Sequence, residues 1–461
     1  MPAATAAESW VWLGYGHDTQ LTNRVPSTSV TAASVNRLHL RWKAQLDGWI
    51  VASPLSTRVR VDGRSQQVVY ATTEAGSVYA VSGETGDVLW RRAFGSVTTA
   101  QCGEWGVSST GTIDLDRRVL YEIGADGDLH ALDLATGEDR AGWPLHLIQR
   151  YRYEYVWGGL QLVGGRLYVP VASYCDETDS EGFSADGRLI SVDPDAVDEA
   201  GLFDAVPGYG NLGGIWGWGG VSAEDDGSVI YTAVGNSRVH SDDCDCLIDD
   251  AQYGNSVVAL TPDLSRVLDS DQPKEVPPTG DNDFGAAPLL FQPKGCPPLA
   301  AAKNKVGALF IWDRTHLADG PYARFELSDA RSAFVGAPSY DPVRGTFFVS
   351  QAVIDADGPH YGVVAFQAGP ECSLHPIWKT VVGAGNQPAP LVVGDVVFVP
   401  RGRLGGFLAM SAVNGHALWS FATEAQATAP MIEVAGTIVG GDRDGNLYGF
   451  VTGNADPLRP R

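Results

Sequence analysis

Positive charge is scarce in this chain: 32 Lys and Arg stand against 55 Asp and Glu, a formal net charge of −23. Such a surface repels phosphate backbones and anionic bilayers at long range, which argues against nucleic acid as a partner. No apolar run reaches the eighteen or so residues of a membrane helix, so no membrane span is expected. Segments with a sustained 3.6-residue hydrophobic period are almost missing, so helices are minor. There is no CxxC pair, which removes the usual zinc spacing, and no CxxCH, which removes an attached haem. GxSxG elbows and phosphate-binding loops are missing too.

What the chain does have is glycine, proline and tryptophan: 55, 27 and 13 residues among 461. Those proportions suit a turn-rich β protein, and 44% hydrophobic residues suffice for a large core. Six cysteines (102, 175, 244, 246, 296, 372) allow fifteen pairings. An even count in an acidic chain fits an oxidising compartment. The opening MPAATAAES has neither the basic nor the apolar segment of a signal peptide. A mature secreted or cell-envelope chain is therefore expected, with a cytoplasmic one as the alternative. In SDDCDCLIDD (Ser241 to Asp250), the CxC is too short for an easy bridge of its own. Cys244 and Cys246 are expected to find partners in other loops, bracing a solvated acidic loop.

Internal repetition decides the architecture. SVYAVSGETGDVLW (Ser77 to Trp90), GDLHALDLATGEDRAGW (Gly127 to Trp143) and GGFLAMSAVNGHALWSF (Gly405 to Phe421) are copies of one strand–turn–strand unit. Weaker copies fill the intervals. Their small central positions are Ala80, Ala131, Ser191, Ala259, Ile311, Ala365, Ala409 and Gly449. Alternating strands with Gly turns, repeated eight times, predict an all-β, eight-bladed propeller in a single domain, 1–461. The last copy ends at Val451, so its blade lacks a final strand. The N-terminal segment (1–44, with Trp10 to Trp42 as its core) is expected to supply it, leaving 45–451 for the blades and 452–461 as a tail. The longest insertions fall between Ser191 and Ala259, which is where function is expected to gather. Within them, GIWGWGGVSAEDDGSVIYTAVGNS (Gly214 to Ser237) sets Trp216 and Trp218 among glycines. A strand ending at Asn236 is expected to form the inner edge of the fourth blade.

The repeat, small residue–x–Asp–x–x–Thr–Gly–x–x–x–Trp, resembles the blade motif of the quinoprotein alcohol dehydrogenases. Ala131 to Gly137 carries its first part closely. GYGHDTQLTNRVP (Gly14 to Pro26) and SVNRLHLRW (Ser34 to Trp42) resemble the family's opening, nearest to polyvinyl-alcohol-dehydrogenase-like members. The resemblance implies pyrroloquinoline quinone (PQQ) and Ca²⁺ on the propeller axis, an alcohol substrate, small or polymeric, and a separate electron acceptor. By the same resemblance, Trp218, eighteen residues before Asn236, is the aromatic floor and Asn236 a metal ligand. Asp176, after LYVPVAS, with Glu177 beside it, supplies the metal carboxylate. Asp283, in DNDFGAAPLLF, is the catalytic base. Lys305, eight residues before Asp313, is the basic group at the quinone. A hard cation needs such oxygen ligands, and a base must take the hydroxyl proton as hydride leaves.

The sequence also departs from the pattern. Val51 stands where the family has a cofactor-contacting glutamate, and CGEWGVSST (Cys102 to Thr110) has neither the adjacent cysteine pair nor the arginine. Arg401 and Arg403 are candidates for the missing positive charge. Two other readings follow from these losses: a PQQ-free propeller acting as a binding or scaffold module, and an enzyme using the axial pocket for cofactor-independent chemistry.

Overall fold

The computed structural model describes residues 11–25, 29–327, 336–355, 358–369, 372–383 and 388–453. Eight antiparallel sheets follow one another around a ring. Blade 1 is built from the strands Leu55–Val61, Arg64–Thr73, Ser77–Ser82 and Val88–Ala93. The other blades have the same up-and-down order, so the expected eight-bladed propeller is the observed fold. All eight small positions named above lie in the third strand of their blades. Third strands are covered on both faces and read as continuous burial; Ser77–Ser82 is buried throughout. Fourth strands lie at the rim, and Val88–Ala93 shows half-buried and exposed positions in turn.

The register explains the repeat. Ala80, Ala365, Ala409 and Gly449 stand directly opposite Trp90, Trp378, Trp419 and Trp42 on the fourth strands. A small residue on one strand leaves room for the indole on the next. Where the third-strand residue is the larger Ile311, its partner is Ala323. Each indole then docks on the following blade. Trp90 Nε1 donates to the Leu134 carbonyl (3.1 Å), Trp378 to Ala412 (3.1 Å) and Trp42 to Gly83 (2.9 Å). The turn glycine receives the ring. A Cβ on Gly137 would lie 2.6 Å from the Trp90 ring, and one on Gly415 2.6 Å from that of Trp378.

The N-terminal segment does two jobs. His39–Gln45 pairs with Asn446–Val451 and completes blade 8 as its outer strand, closing the ring as expected. Trp10 lies outside the described residues. Upstream, residues 12–25 follow a path the sequence reading did not foresee. They touch the innermost strands of blades 1 to 7 in order. Trp12 N–H donates to Ser56 (2.7 Å), and Leu13 accepts from Ile113 (2.7 Å). Tyr15 accepts from the Gln161 side chain (2.9 Å). Thr19, Gln20, Thr22 and Asn23 carbonyls accept from Ala223, Leu290, Tyr340 and Val392. Arg24–Val25 ends the path as a short parallel strand on Leu391–Val393. The inner strands' free hydrogen-bonding edges, which a closed ring leaves facing the axis, are thereby met by one thread.

Three disulfides join Cys102 to Cys175, Cys244 to Cys246 and Cys296 to Cys372. The second corrects the expectation that the CxC would find other partners. Val239–Ser241 and Cys246–Ile248 pair as a hairpin, and Asp245 takes a left-handed conformation (φ 49°) at its turn. That brings the two Cα atoms to 5.2 Å, within ordinary bridging range.

Indole-on-glycine docking carries a test. Gly137 and Gly142 both have positive φ (71° and 88°), but a Cβ on Gly142 would meet nothing within 4 Å. Both alanine variants bear the backbone strain; only Gly137→Ala also displaces Trp90. Urea unfolding should show Gly137→Ala the less stable by about 1–3 kcal/mol. Equal losses would mean the docking is not tight.

Candidate functional site

The insertion between blades 3 and 4 builds the floor of the axial site. Gly217 has φ 76°, and a Cβ there would fall 1.5 Å from the Gly285 carbonyl oxygen, so only glycine allows this approach. The close crossing lays residues 216–218 against 283–287. Trp218 then packs on the thread, in a cluster with Tyr15, Leu21, Ala287 and Ala389, and its Nε1 donates to the Val51 carbonyl (3.1 Å). Trp218 also lines a cavity of about 1000 Å³, the size of a pocket for a substantial ligand.

Trp49, Trp105 and Trp157 supply more aromatic wall, and Arg403 and Arg443 supply positive charge. The Arg443 guanidinium lies 5.1 Å from the centre of the Trp49 ring. Val51 and Cys102 line the same cavity, and the Cys102–Cys175 bridge ties this wall to the loop after blade 3's second strand. Glu74 is also on the wall and buried. Burial pushes its carboxyl up to about 7, against the pull of the Ser108 hydroxyl, the Gly106 N–H (3.0 Å) and Arg443. The sequence reading missed Glu74, Arg443 and the three further indoles. They come from separate loops and connections along the chain, with no motif to link them.

Asp283 and Lys305 form a second, tighter group. Lys305 sits in the turn between Leu299–Lys303 and Ala308–Asp313, and its N–H donates to the Asp283 carbonyl (3.0 Å). Its ammonium lies 2.8 Å from Asp283 Oδ1, 2.6 Å from Asp281 Oδ1 and 4.7 Å from the centre of the Trp216 ring. Trp216 Nε1 donates to Asp283 Oδ2 (2.8 Å). Burial raises the Asp283 carboxyl above the usual carboxylate range, outweighing the opposing pull of Lys305. For Lys305, burial works against the charge, but Asp283 and Asp281 outweigh it and hold the ammonium above the ordinary lysine value. Trp157 connects the two groups, with ring centres 5.8 Å from Trp216 and 6.3 Å from Trp218. Neither Asp283 nor Lys305 is on the cavity lining.

The remaining expected residues have partners of their own. The strand before Asn236 ends at Ala233 and is the second strand of blade 4, not its inner edge; Ser222–Ala223 is innermost, paired with the thread. Asn236 is half-buried, and its amide donates to the Ser237 carbonyl (3.4 Å). The Asp176 carboxylate accepts from the Ser173 hydroxyl (2.5 Å), and Glu177 accepts from the Gln101 N–H. Arg403 lines the cavity; Arg401 does not. Among the described residues, no three His, Cys, Asp or Glu side chains converge as a metal site. Both Asp283 oxygens are engaged by Trp216 and Lys305. This arrangement does not fit Ca²⁺. The cavity has room for a flat ring, with indoles and two guanidiniums on its wall beside the carboxylates of Asp47, Glu74 and Glu104.

Known proteins agree with the architecture. A family profile described as outer membrane protein assembly factor BamB matches residues 22–155 and 375–455. The dehydrogenase subunit of a quinone-type alcohol dehydrogenase from Gluconacetobacter polyoxogenes is 24% identical over 254 residues, 49% of this chain and 33% of the relative. The match thus spans a third of that protein. The quinohemoprotein alcohol dehydrogenase of Comamonas testosteroni superposes with a TM-score of 0.73 at 17% identity, covering 99% of this chain and 83% of the other. A europium-containing methanol dehydrogenase gives 0.72 at 14%, covering 96% and 99%. BamB from Moraxella catarrhalis gives 0.59 at 15%, covering 90% and 99%. These likenesses show the fold: an eight-bladed propeller like those of the quinohemoprotein and methanol dehydrogenases. Among the described residues no helix is long and apolar enough to cross a membrane.

Glu74 makes the cavity's charge depend on pH. Its carboxyl is neutral below about 7 and anionic above. Affinity for an anionic ligand should fall as pH rises from 6 to 8, and Glu74→Gln should flatten the profile. Stability has the same sign. The unfolded carboxyl ionises near 4.3, so the folded state holds the extra proton up to about 7 and loses stability across that window. Glu74→Gln should gain on the wild type in thermal unfolding as pH rises. Parallel profiles would show that Glu74 does not titrate there.

Proposed function

We propose that this chain is an alcohol-oxidising, quinone-dependent member of its fold type, with PQQ lying on Trp218 in the axial cavity. The observation that carries this reading is the cavity itself: an indole floor, two guanidiniums and room for a flat tricarboxylate. Arg403 and Arg443 would hold the carboxylates, replacing the family arginine missing near Cys102. When bound, the quinone supplies a hydride acceptor. Asp283 is the proton acceptor, its carboxyl raised toward neutrality, where a general base works best. Trp216 and Lys305 fix that carboxylate's position. An alcohol and a separate electron acceptor complete the reaction. The six paired cysteines support a secreted or cell-envelope location.

One observation favours a second reading, a propeller that binds a ligand or partner without turnover. Asp283 lies off the cavity lining and is tied on both oxygens.

Titration with PQQ, followed by absorbance of the retained cofactor and by dye reduction with simple alcohols, separates these readings. Binding with turnover is expected. Trp218→Leu should weaken PQQ at least about tenfold through lost stacking. Asp283→Asn should keep PQQ and lose turnover. Retained quinone with no dye reduction would favour the binding module, and no retained quinone would overturn the proposal.

A further inference from the structure

We propose that the ammonium of Lys305 is the resident cation of this site, and that it closes the Asp281–Asp283 pair to divalent and trivalent metal ions. Lys305 meets both carboxylates, at 2.6 and 2.8 Å, and lies over the Trp216 ring at 4.7 Å. These contacts direct the ammonium to two anions and one π face, leaving it no need of water. The remaining Asp283 oxygen accepts the Trp216 indole N–H (2.8 Å). Each Asp283 oxygen thus has one of these two partners.

The backbone fixes this arrangement. Lys305 N–H bonds to the Asp283 carbonyl, and Phe284 bridges to Asn304 on the adjoining turn. The ammonium therefore arises from a turn locked to the carboxylate's own segment. A metal ion at Asp283 would have to displace a half-buried ammonium from the one carboxylate of the pair that is buried. Of the other expected ligands, the Asp176 carboxylate accepts from Ser173 and the Glu177 carboxylate from Gln101. The inference does not depend on whether a quinone binds the cavity.

Terbium is a direct probe, because Trp216 is bonded to Asp283 and would sensitise Tb³⁺ bound there. Titration of the intact protein with TbCl₃, with CaCl₂ competition, should give no saturable luminescence that Asp283→Asn removes. Lys305→Ala should gain a site that Asp283→Asn then abolishes, with affinity at least about tenfold above the wild type, since one buried positive charge has gone. Lys305→Arg, which keeps the cation, should stay silent. If Lys305→Ala does not fold, the wild-type titration and Lys305→Arg still decide. Saturable, Asp283-dependent Tb³⁺ or Ca²⁺ binding by the wild type would overturn the proposal. So would a folded Lys305→Ala protein that gains no site.

Discussion

A tryptophan from one blade seated on a glycine of the next joins blade 1 to 2, 6 to 7 and, at the ring's closure, 8 to 1. It requires three things at fixed positions: a small residue opposite the indole, the indole itself, and a turn glycine one blade further on. Ala80, Trp90 and Gly137 meet these terms between blades 1 and 2. Gly449, Trp42 and Gly86 meet them across the closure, where the N-terminal strand completes blade 8. The same contact thus joins neighbours in sequence and the two ends of the chain. A ring closed this way has an axis, and the inner strands leave polar edges along it. Residues 12–25 meet those edges, and Tyr15 and Leu21 of the same thread support Trp218 from below.

The functional site follows from that support. The glycines around Trp216 and Trp218 serve contact, not flexibility: Gly217 brings the floor segment against Gly285, and this crossing places one indole in the cavity and the other on Asp283. One short segment therefore serves two chemically different groups. The cavity offers aromatic surface and guanidiniums, terms suited to a flat anion. The neighbouring group offers an ion pair closed on itself. Trp157 stands between them, touching both indoles. A fold whose relatives include dehydrogenases has here an open cavity and a carboxylate already satisfied.

The fold was legible because its constraint is local and repeated. The small residue, the Thr-Gly turn and the Trp lie within one strand–turn–strand unit, and the period of those units counts the blades. The closing strand was legible as a gap after Val451. The thread was not, because residues 12–25 pair with seven blades in turn and no period records that. The family resemblance pointed to Trp218, Asp283 and Lys305; the structure brings Asp283 and Lys305 into direct contact and adds Trp216, which the resemblance passed over. Spacing did not show that Lys305 would turn onto Asp283, since that depends on a turn geometry. Asp176, Glu177 and Asn236 keep expected spacings, yet Asp176 and Asn236 bond to near neighbours in sequence and Glu177 to Gln101. Arg443 and Glu74 were invisible because a propeller assembles its axial wall from residues hundreds of positions apart.

In the proposed site the axis holds a flat anion on Trp218 while Lys305, not a metal, neutralises Asp283. A crystal structure grown with PQQ and CaCl₂ tests this most directly. It should show planar density on the Trp218 indole, carboxylates at Arg403 and Arg443, and the Lys305 ammonium still on Asp283. An anomalous calcium peak bound to Asp283, or a cavity left empty of quinone, would contradict it.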